Sequence, residues 1–218
     1  MHHAVLFDLD GTLLDTLEDL ADATNAALAS LGHPAHPLDA YRYFVGDGVE
    51  TLMRRALPAG AAADPPQLKH AVDLQRREYA ARWTAKTRPY PGVNELLANL
   101  ERHGIPMAIL SNKPDPAVAE VVRHFFPAVR FEITRGARPG VPVKPDPGAA
   151  LQVAAEMRIE PAAFLYLGDT NTDMRTALAA GMLAVGALWG FRTAHELEES
   201  GAARLVAEPR EVLDLLTS

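Results

Sequence analysis

The sequence predicts an α/β fold, a doubly wound parallel sheet with a smaller helical segment inserted near its start. An apolar strand at residues 4–7 opens the chain, and from residue 91 onward short apolar runs alternate with amphipathic segments, as in sheets built from strand and helix repeats. Residues 33–88 show helical patterns and no convincing strand. These patterns divide the chain into an α/β core, residues 1–15 and 89–218, and a helical segment, residues 16–88.

The first helix is predicted over residues 16–31, where apolar residues recur at helical spacing. Asp15 is its predicted N-cap, Glu18 follows three residues later as in a capping box, and Gly32 ends it. Two further helices are predicted at 49–57 and 67–83, with proline and glycine residues between them.

The remaining elements alternate in a regular order. We predict helices at 93–103, 114–125, 147–157 and 172–180, strands at 106–110, 129–133, 164–167 and 183–188, and a final short strand and helix. The strands at 4–7 and 164–167 are expected to be neighbours in the sheet.

Acidic residues follow two of these strands. Asp8 and Asp10 come directly after the first strand, and Asp169 and Asp173 follow the strand at 164–167. Parallel sheets place their ligands at the carboxyl edge, and two carboxylates about 4 Å apart repel by roughly 4 kcal/mol at an effective dielectric near 20. A cation is therefore expected, and an all-oxygen ligand set with a phosphate substrate favours Mg²⁺. A plain acidic turn at the first strand and a helix-dipole role for Asp173 are the alternatives.

Two further segments carry candidate phosphate ligands. Ser111 and Asn112 follow the strand at 106–110, and Pro114 suits the first position of a helix, whose N-terminus can bind phosphate. The alternative is that either residue only caps that helix. Lys144 lies between two prolines that favour extended chain, so it is suited to holding a phosphate beside the carboxylates.

In this order, the motifs DLDGT, Ser111, Lys144 and GDTNTD resemble the haloacid dehalogenase superfamily of phosphatases. The helical segment is similar to that superfamily's small α-helical cap. The stretches VGDGVETLMRRAL, SNKPDP and VKPDP look most like the phosphoglycolate phosphatase branch. One departure is the stretch TRGARPGVPV, which has Arg135 and Arg138 where relatives often carry acidic or Gly-Asp residues.

The resemblance implies a phosphatase reaction on a small phosphorylated anionic metabolite. Asp8 would be the nucleophile that forms an aspartyl phosphate, and Asp10 the general acid and base. Mg²⁺ would be held by Asp8, the backbone carbonyl of Asp10 and Asp169, with Asp173 helping directly or through water. The resemblance also implies that Ser111, Lys144 and Asn112 contact the phosphoryl group. Gly11 and Thr12, which are expected to bind substrate as well, start the turn that closes over the site.

Substrate choice is expected to lie with the helical segment. Gly46, Asp47 and Gly48 precede the helix that bears Arg54, and a carboxylate held there would suit 2-phosphoglycolate. A loop and helix cap without ligand is the alternative. The segment from residue 41 to residue 88 carries nine basic and five acidic residues, so it could attract a small anion.

Composition narrows the function classes. The net charge is 21 − 28 = −7, which argues against nucleic acid as a partner, and the absence of cysteine excludes thiolate chemistry. We expect no membrane span and no secretion leader, and hence a cytoplasmic protein, either monomer or homodimer. Alternatives of the same superfamily are a pyrophosphatase, a nucleotide or sugar phosphatase, and a phosphohexose mutase. An alternative of another class is a catalytically silent regulatory protein.

Overall fold

The computed structural model describes residues 2–216, which fall into two compact units. The larger unit joins the residues up to 14 with those from 89 onward, and the smaller spans residues 15–88. None of the helices described within residues 2–216 has both the length and the apolar character that a bilayer span requires.

Six strands of the larger unit form one sheet in the order β5-β4-β1-β6-β7-β8, and every pair is parallel. Two very short strands, β2 and β3, pair with each other. The strands are β1 (Ala4–Phe7), β2 (Leu14–Asp15), β3 (Arg88–Pro89), β4 (Met107–Pro114), β5 (Ile133–Ala137), β6 (Phe164–Gly168), β7 (Leu183–Ala187) and β8 (Arg204–Val206).

Helices form the smaller unit and flank the sheet of the larger one. Those of the smaller unit are α1 (Leu17–Ser30), α2 (Leu38–Phe44), α3 (Val49–Ala56), α4 (Ala59–Ala63) and α5 (Pro65–Ala80). Those of the larger unit are α6 (Val93–Arg102), α7 (Asp115–Phe125), α8 (Gly148–Met157), α9 (Asn171–Ala179), α10 (Ala194–Glu199) and α11 (Glu211–Asp214), with a 3₁₀ turn at Pro161–Ala163.

The predicted adjacency of the two acidic strands is confirmed, because β1 pairs in parallel with β6 and Phe7 lies opposite Leu167. On its other side β1 pairs with β4, where Phe7 lies opposite Ile109. The residues of β1 and β6 are fully buried, as expected for central strands covered on both faces. Since the three strands end at the same edge, the residues that follow each of them meet there.

The strand predicted at 129–133 is wrong in position. The observed strand β5 starts at Ile133 and runs through Arg135, which lies opposite Leu110 of β4. Arg135 is buried, and Nη2 of its guanidinium pairs with Glu156. A charged residue inside the sheet hid the strand from a search for apolar runs, whereas the apolar residues just before it do not pair with β4.

The first helix is confirmed, but its predicted cap is wrong. Asp15 belongs to β2, and the N-cap is Thr16, whose side chain makes no capping hydrogen bond. The helix ends before Gly32, which has φ of 75°. Asp19 in its first turn is a buried carboxylate that accepts hydrogen bonds from the backbone N–H groups of residues 86 and 87. This pairing joins the two ends of the smaller unit.

Candidate active site

Three buried carboxylates converge at the carboxyl edge of the sheet. Asp8 follows β1, Asp169 follows β6, and Asp173 lies in the first turn of α9. Each offers one oxygen within 4.8 Å of the other two. Asp169 and Asp173 have no exposed surface, and Asp8 is 6% exposed.

Lys144 lies among these carboxylates. Its Nζ donates to Oδ1 of Asp8 at 2.7 Å and to Oδ1 of Asp173 at 2.6 Å. The backbone of Lys144 is held from behind by Asn112, whose Oδ1 accepts from the Lys144 N–H at 2.9 Å and whose Nδ2 donates to the Lys144 carbonyl at 3.1 Å. The amide of Asn112 thus positions the lysine.

The local charges perturb the acids and the lysine. Burial raises the pKa of Asp8 well above its ordinary value, and the neighbouring charge of Asp173 raises it further. Burial, with the charge of Asp173, raises the pKa of Asp169 to about 7. Burial alone lowers the pKa of Lys144, but Asp173 and Asp8 together raise it well above its usual value. Lys144 therefore stays charged, but its one ammonium does not neutralise all three carboxylates.

A divalent cation fits this deficit. Three carboxylates against one ammonium leave a formal charge of −3 + 1 = −2 among buried side chains. The available atoms are all oxygens, the ligands of hard ions such as Mg²⁺. Asp8, Asp169 and Asp173 are the residues that could hold such an ion, and the side chain of Asp10 is not in this group.

The turn after β1 is packed directly against Asp169. Gly11 has φ of +95°, and a Cβ there would lie 2.3 Å from Oδ2 of Asp169, so only glycine fits. The hydroxyl of Thr12 donates to Oδ1 of Asp169 at 2.9 Å. Two contacts from the segment after β7 complete the arrangement: the backbone N–H of Phe191 donates to Oδ2 of Asp169 at 2.8 Å, and Nε1 of Trp189 donates to the Thr12 carbonyl at 2.9 Å.

Asp10 has a cationic partner that the sequence reasoning missed. Nζ of Lys113 lies 2.9 Å from Oδ1 and 3.1 Å from Oδ2 of Asp10. Both side chains are largely shielded from solvent, at 7% exposure for Lys113 and 14% for Asp10. Only the position of Lys113, two residues after Ser111 in the SNKP stretch, could have drawn attention to it.

Ser111 is buried within β4, and its Oγ accepts from the backbone N–H of Lys113 at 3.1 Å. Pro114, rather than Ser111 or Asn112, is the N-cap of α7, so the alternative in which one of those residues serves only as a cap is wrong. Pro114 was predicted as the first residue of that helix, and it is instead the N-cap, one residue before the helix begins.

Asp173 uses its two oxygens differently. Oδ2 accepts from the N–H of Thr170 at 3.1 Å and from its hydroxyl, which closes a capping box at the start of α9. Oδ1 accepts from Lys144. Asp173 therefore lies at the helix terminus, as the alternative predicted, and also belongs to the acidic cluster.

Comparison with known proteins decides the family. The family described as haloacid dehalogenase-like hydrolase matches residues 2–181. The chain belongs to this family.

The relatives of this hydrolase narrow its class. A phosphoglycolate phosphatase of Pseudomonas putida is 34% identical over 212 residues, which cover 96% of this chain and 78% of the relative. A phosphoglycolate phosphatase of Nitrosospira multiformis is 32% identical over 215 residues, which cover 98% and 95%. A crystal structure from Lactobacillus delbrueckii subsp. bulgaricus, provisionally named for the same activity, has a TM-score of 0.91 at 27% identity and covers 99% of this chain and 98% of that one. The resemblance to the superfamily and the α/β fold class are confirmed, and this hydrolase is a phosphatase.

The smaller unit of the hydrolase carries the other predicted substrate contacts. Gly46 and Gly48 have φ of 118° and 85°, so the loop requires glycine at both positions. Asp47 between them accepts from Nη2 of Arg55 at 2.6 Å. Arg55, which follows the predicted contact Arg54 on the same helix, is therefore the arginine that contacts this loop.

Arg54 lies on the same helix but has different partners. Its Nη2 donates to Glu50 at 2.9 Å and its Nη1 to the Ala62 carbonyl at 3.0 Å. Eight of the nine basic side chains between residues 41 and 88 pair with a carboxylate. This pairing reduces the anion attraction expected from the composition of the segment.

Proposed function

We propose that this phosphatase hydrolyses the phosphomonoester of a small anionic metabolite, most simply 2-phosphoglycolate, through an aspartyl phosphate with Mg²⁺ as cofactor. One observation carries the proposal: Lys144 donates to both Asp8 and Asp173 while Asp169 lies within 4.8 Å at the same sheet edge. This arrangement supplies a nucleophile, a cation for phosphoryl oxygens and ligands for a hard ion.

In the first step a carboxylate oxygen of Asp8 attacks phosphorus, and the bond from phosphorus to the ester oxygen breaks. Asp10 gives a proton to the departing alkoxide. In the second step Asp10 takes a proton from water, which attacks the aspartyl phosphate and releases inorganic phosphate with Asp8 restored. Lys113 holds the carboxyl group of Asp10 in place during both proton transfers.

The phosphoryl group needs positive charge and donors around it. Lys144 and the hydroxyl of Ser111 would hold its oxygens, and Asn112 keeps Lys144 in place from behind. Mg²⁺ held by Asp8, Asp169 and Asp173, with the carbonyl of Asp10, would supply further charge compensation to those oxygens.

Substrate choice is assigned to the smaller unit, residues 15–88, acting as a cap. The names of the relatives support phosphoglycolate. We place the substrate carboxylate at the loop of Gly46, Asp47 and Gly48, and Arg54 is half exposed on the helix that follows this loop. We expect Gly48→Ala and Arg54→Gln to change the ranking of substrates more than the maximal rate.

A Mg²⁺-dependent phosphatase screen tests the proposal. Release of inorganic phosphate would be compared for phosphoglycolate, pyrophosphate, a nucleoside monophosphate and glucose phosphate, with Asp8→Asn as control. Phosphoglycolate is expected to be turned over fastest, and Asp8→Asn to remove turnover while leaving the fold intact. Near-normal activity of Asp8→Asn would refute the nucleophile assignment. No turnover of any substrate would favour the silent regulatory protein.

A further inference from the structure

A small pocket in the larger unit lies between β4, β5, the start of α8 and the loop of residues 138–143. Its cavity volume is about 30 Å³. One water needs roughly 10–15 Å³ on this measure, so the space suits about two waters or one small anion. Ser111, Asn112 and Lys144 of the proposed active site also line this pocket, but the reaction proposed above gives no role to Arg135.

Arg135 provides buried donors in this pocket. The residue is only 8% exposed, and its Nη2 donates to Oε2 of Glu156 at 2.7 Å. Its Nε and Nη1 atoms are buried and have no hydrogen-bond partner among residues 2–216. A buried charged donor without an acceptor is unfavourable, so these two groups point to a ligand that accepts hydrogen bonds.

The charges around the pocket favour an anion over a neutral ligand. Three of the lining residues are cationic, namely Arg135, Arg138 and Lys144, and none of the described lining residues is Asp or Glu. The carboxylates that pair with the two arginines, Glu156 and Asp115, are not among the lining residues. Because each of these cations is paired with a carboxylate outside the lining, the preference for an anion rests on the two unpaired donors of Arg135.

We propose that this pocket binds one small monovalent anion, a halide or a short carboxylate, through Nε and Nη1 of Arg135. The anion would bind Arg135 rather than Lys144, since the ammonium of Lys144 is already bound to Asp8 and Asp173. The pocket lies behind the chain that carries Lys144 and gives a role to the arginines that depart from the family pattern.

Thermal unfolding of the full chain in Mg²⁺-containing buffer tests the site. Gluconate serves as the bulky reference anion at constant ionic strength, and chloride, bromide and formate are titrated in its place. We expect a saturable rise in Tm with the halides, with formate, or with both, which distinguishes the two sources, and each rise should exceed the effect of the same anion on an Arg135→Gln variant. That variant is expected to bind the anion roughly 10- to 100-fold more weakly. Arg130→Gln, at an arginine whose side chain is 78% exposed, is the matched control and should keep the wild-type response.

A second variant keeps the test decisive if Arg135→Gln does not fold. Gln152 is exposed and lines the pocket, so Gln152→Glu supplies a carboxylate of its own and should abolish the anion-dependent rise in Tm. In bromide-soaked crystals we expect an anomalous peak beside Arg135. Water alone in the pocket, or an undiminished anion response in Arg135→Gln or Gln152→Glu, would overturn the proposal. None of these measurements depends on phosphatase activity, so failure here is distinct from failure of the proposed function.

Discussion

Asp173 connects the first turn of α9 to Lys144, since its Oδ2 accepts from Thr170 and its Oδ1 lies 2.6 Å from the lysine Nζ. One carboxylate thus serves a helix terminus, an ion pair and the acidic cluster. Removal of its charge should affect the cluster far more than the helix.

The variant Asp173→Asn is expected to weaken Mg²⁺ activation by roughly 10- to 100-fold. The amide can still accept from Thr170, but it cannot neutralise Lys144 or bind the cation as a carboxylate does. The measurement is the Mg²⁺ concentration for half-maximal phosphatase activity. Thr170→Val is the matched control, because it removes the cap alone: it should cost about 1 kcal/mol of stability with little change in Mg²⁺ dependence. Equal Mg²⁺ dependence in both variants would contradict the assignment.

The metal-free protein is expected to become less stable as the pH rises. Burial and the charge of Asp173 raise the pKa of Asp169 to about 7 from its ordinary 3.8, and the pKa of Asp8 shifts in the same direction. Between about pH 4 and 7 the folded protein keeps a proton that the unfolded chain has lost, so protonation favours folding. This contribution is complete below pH 3.8 and is lost as the pH passes about 7.

Added Mg²⁺ should reverse this trend, because the cation binds the ionised carboxylates. The measurement is Tm in EDTA and in saturating Mg²⁺ at pH 5.5 and pH 8. We expect the increase in Tm caused by Mg²⁺ to be larger at pH 8. Asp169→Asn should reduce the pH dependence in EDTA, and a Mg²⁺ effect that is equal at both pH values would count against the cation site.

The centre of the site could be predicted from sequence because it depends on two local rules. Asp8 and Asp169 each follow an apolar strand, and parallel strands end at a common edge. The partners of these residues could not be predicted in the same way. Lys113 contacts Asp10 across 103 positions and Trp189 contacts Thr12 across 177, and such contacts are created only by the tertiary fold.

The same division applies to the fold. Long amphipathic helices such as α1 and α5 were predicted because several turns repeat the pattern. The short helices α2, α4 and α10 were missed, since five to seven residues give too few repeats. β5 was misplaced because buried Arg135 depends on an ion pair with Glu156 that lies outside its own strand.

Lys113 is expected to be a positioning residue for Asp10. Lys113→Gln removes the cation that lies 2.9 Å from Oδ1 of Asp10, so the acid should lose its orientation and kcat should fall about 10-fold or more. KM and the Mg²⁺ requirement should change little, because Lys113 is not among the residues that could hold the ion. Lys69→Gln, at an exposed lysine of α5, is the control. Unchanged kcat in Lys113→Gln would remove the positioning role.

The backbone beside Asp169 leaves no room for a side chain. A Cβ at Gly190 would lie 2.2 Å from the Cβ of Asp169, so Gly190→Ala should displace Asp169, lower the stability by about 1–3 kcal/mol and weaken Mg²⁺ activation. Gly60→Ala provides the opposite case. Gly60 lies within α4, and a Cβ at this position would have no neighbouring atom within 4 Å, so alanine there should stabilise by about 0.5–1 kcal/mol. Chemical denaturation of both variants, with Mg²⁺ titrations of their activity, separates the two effects: a Gly190→Ala protein as stable and as readily activated as wild type would show that Asp169 tolerates movement at this contact.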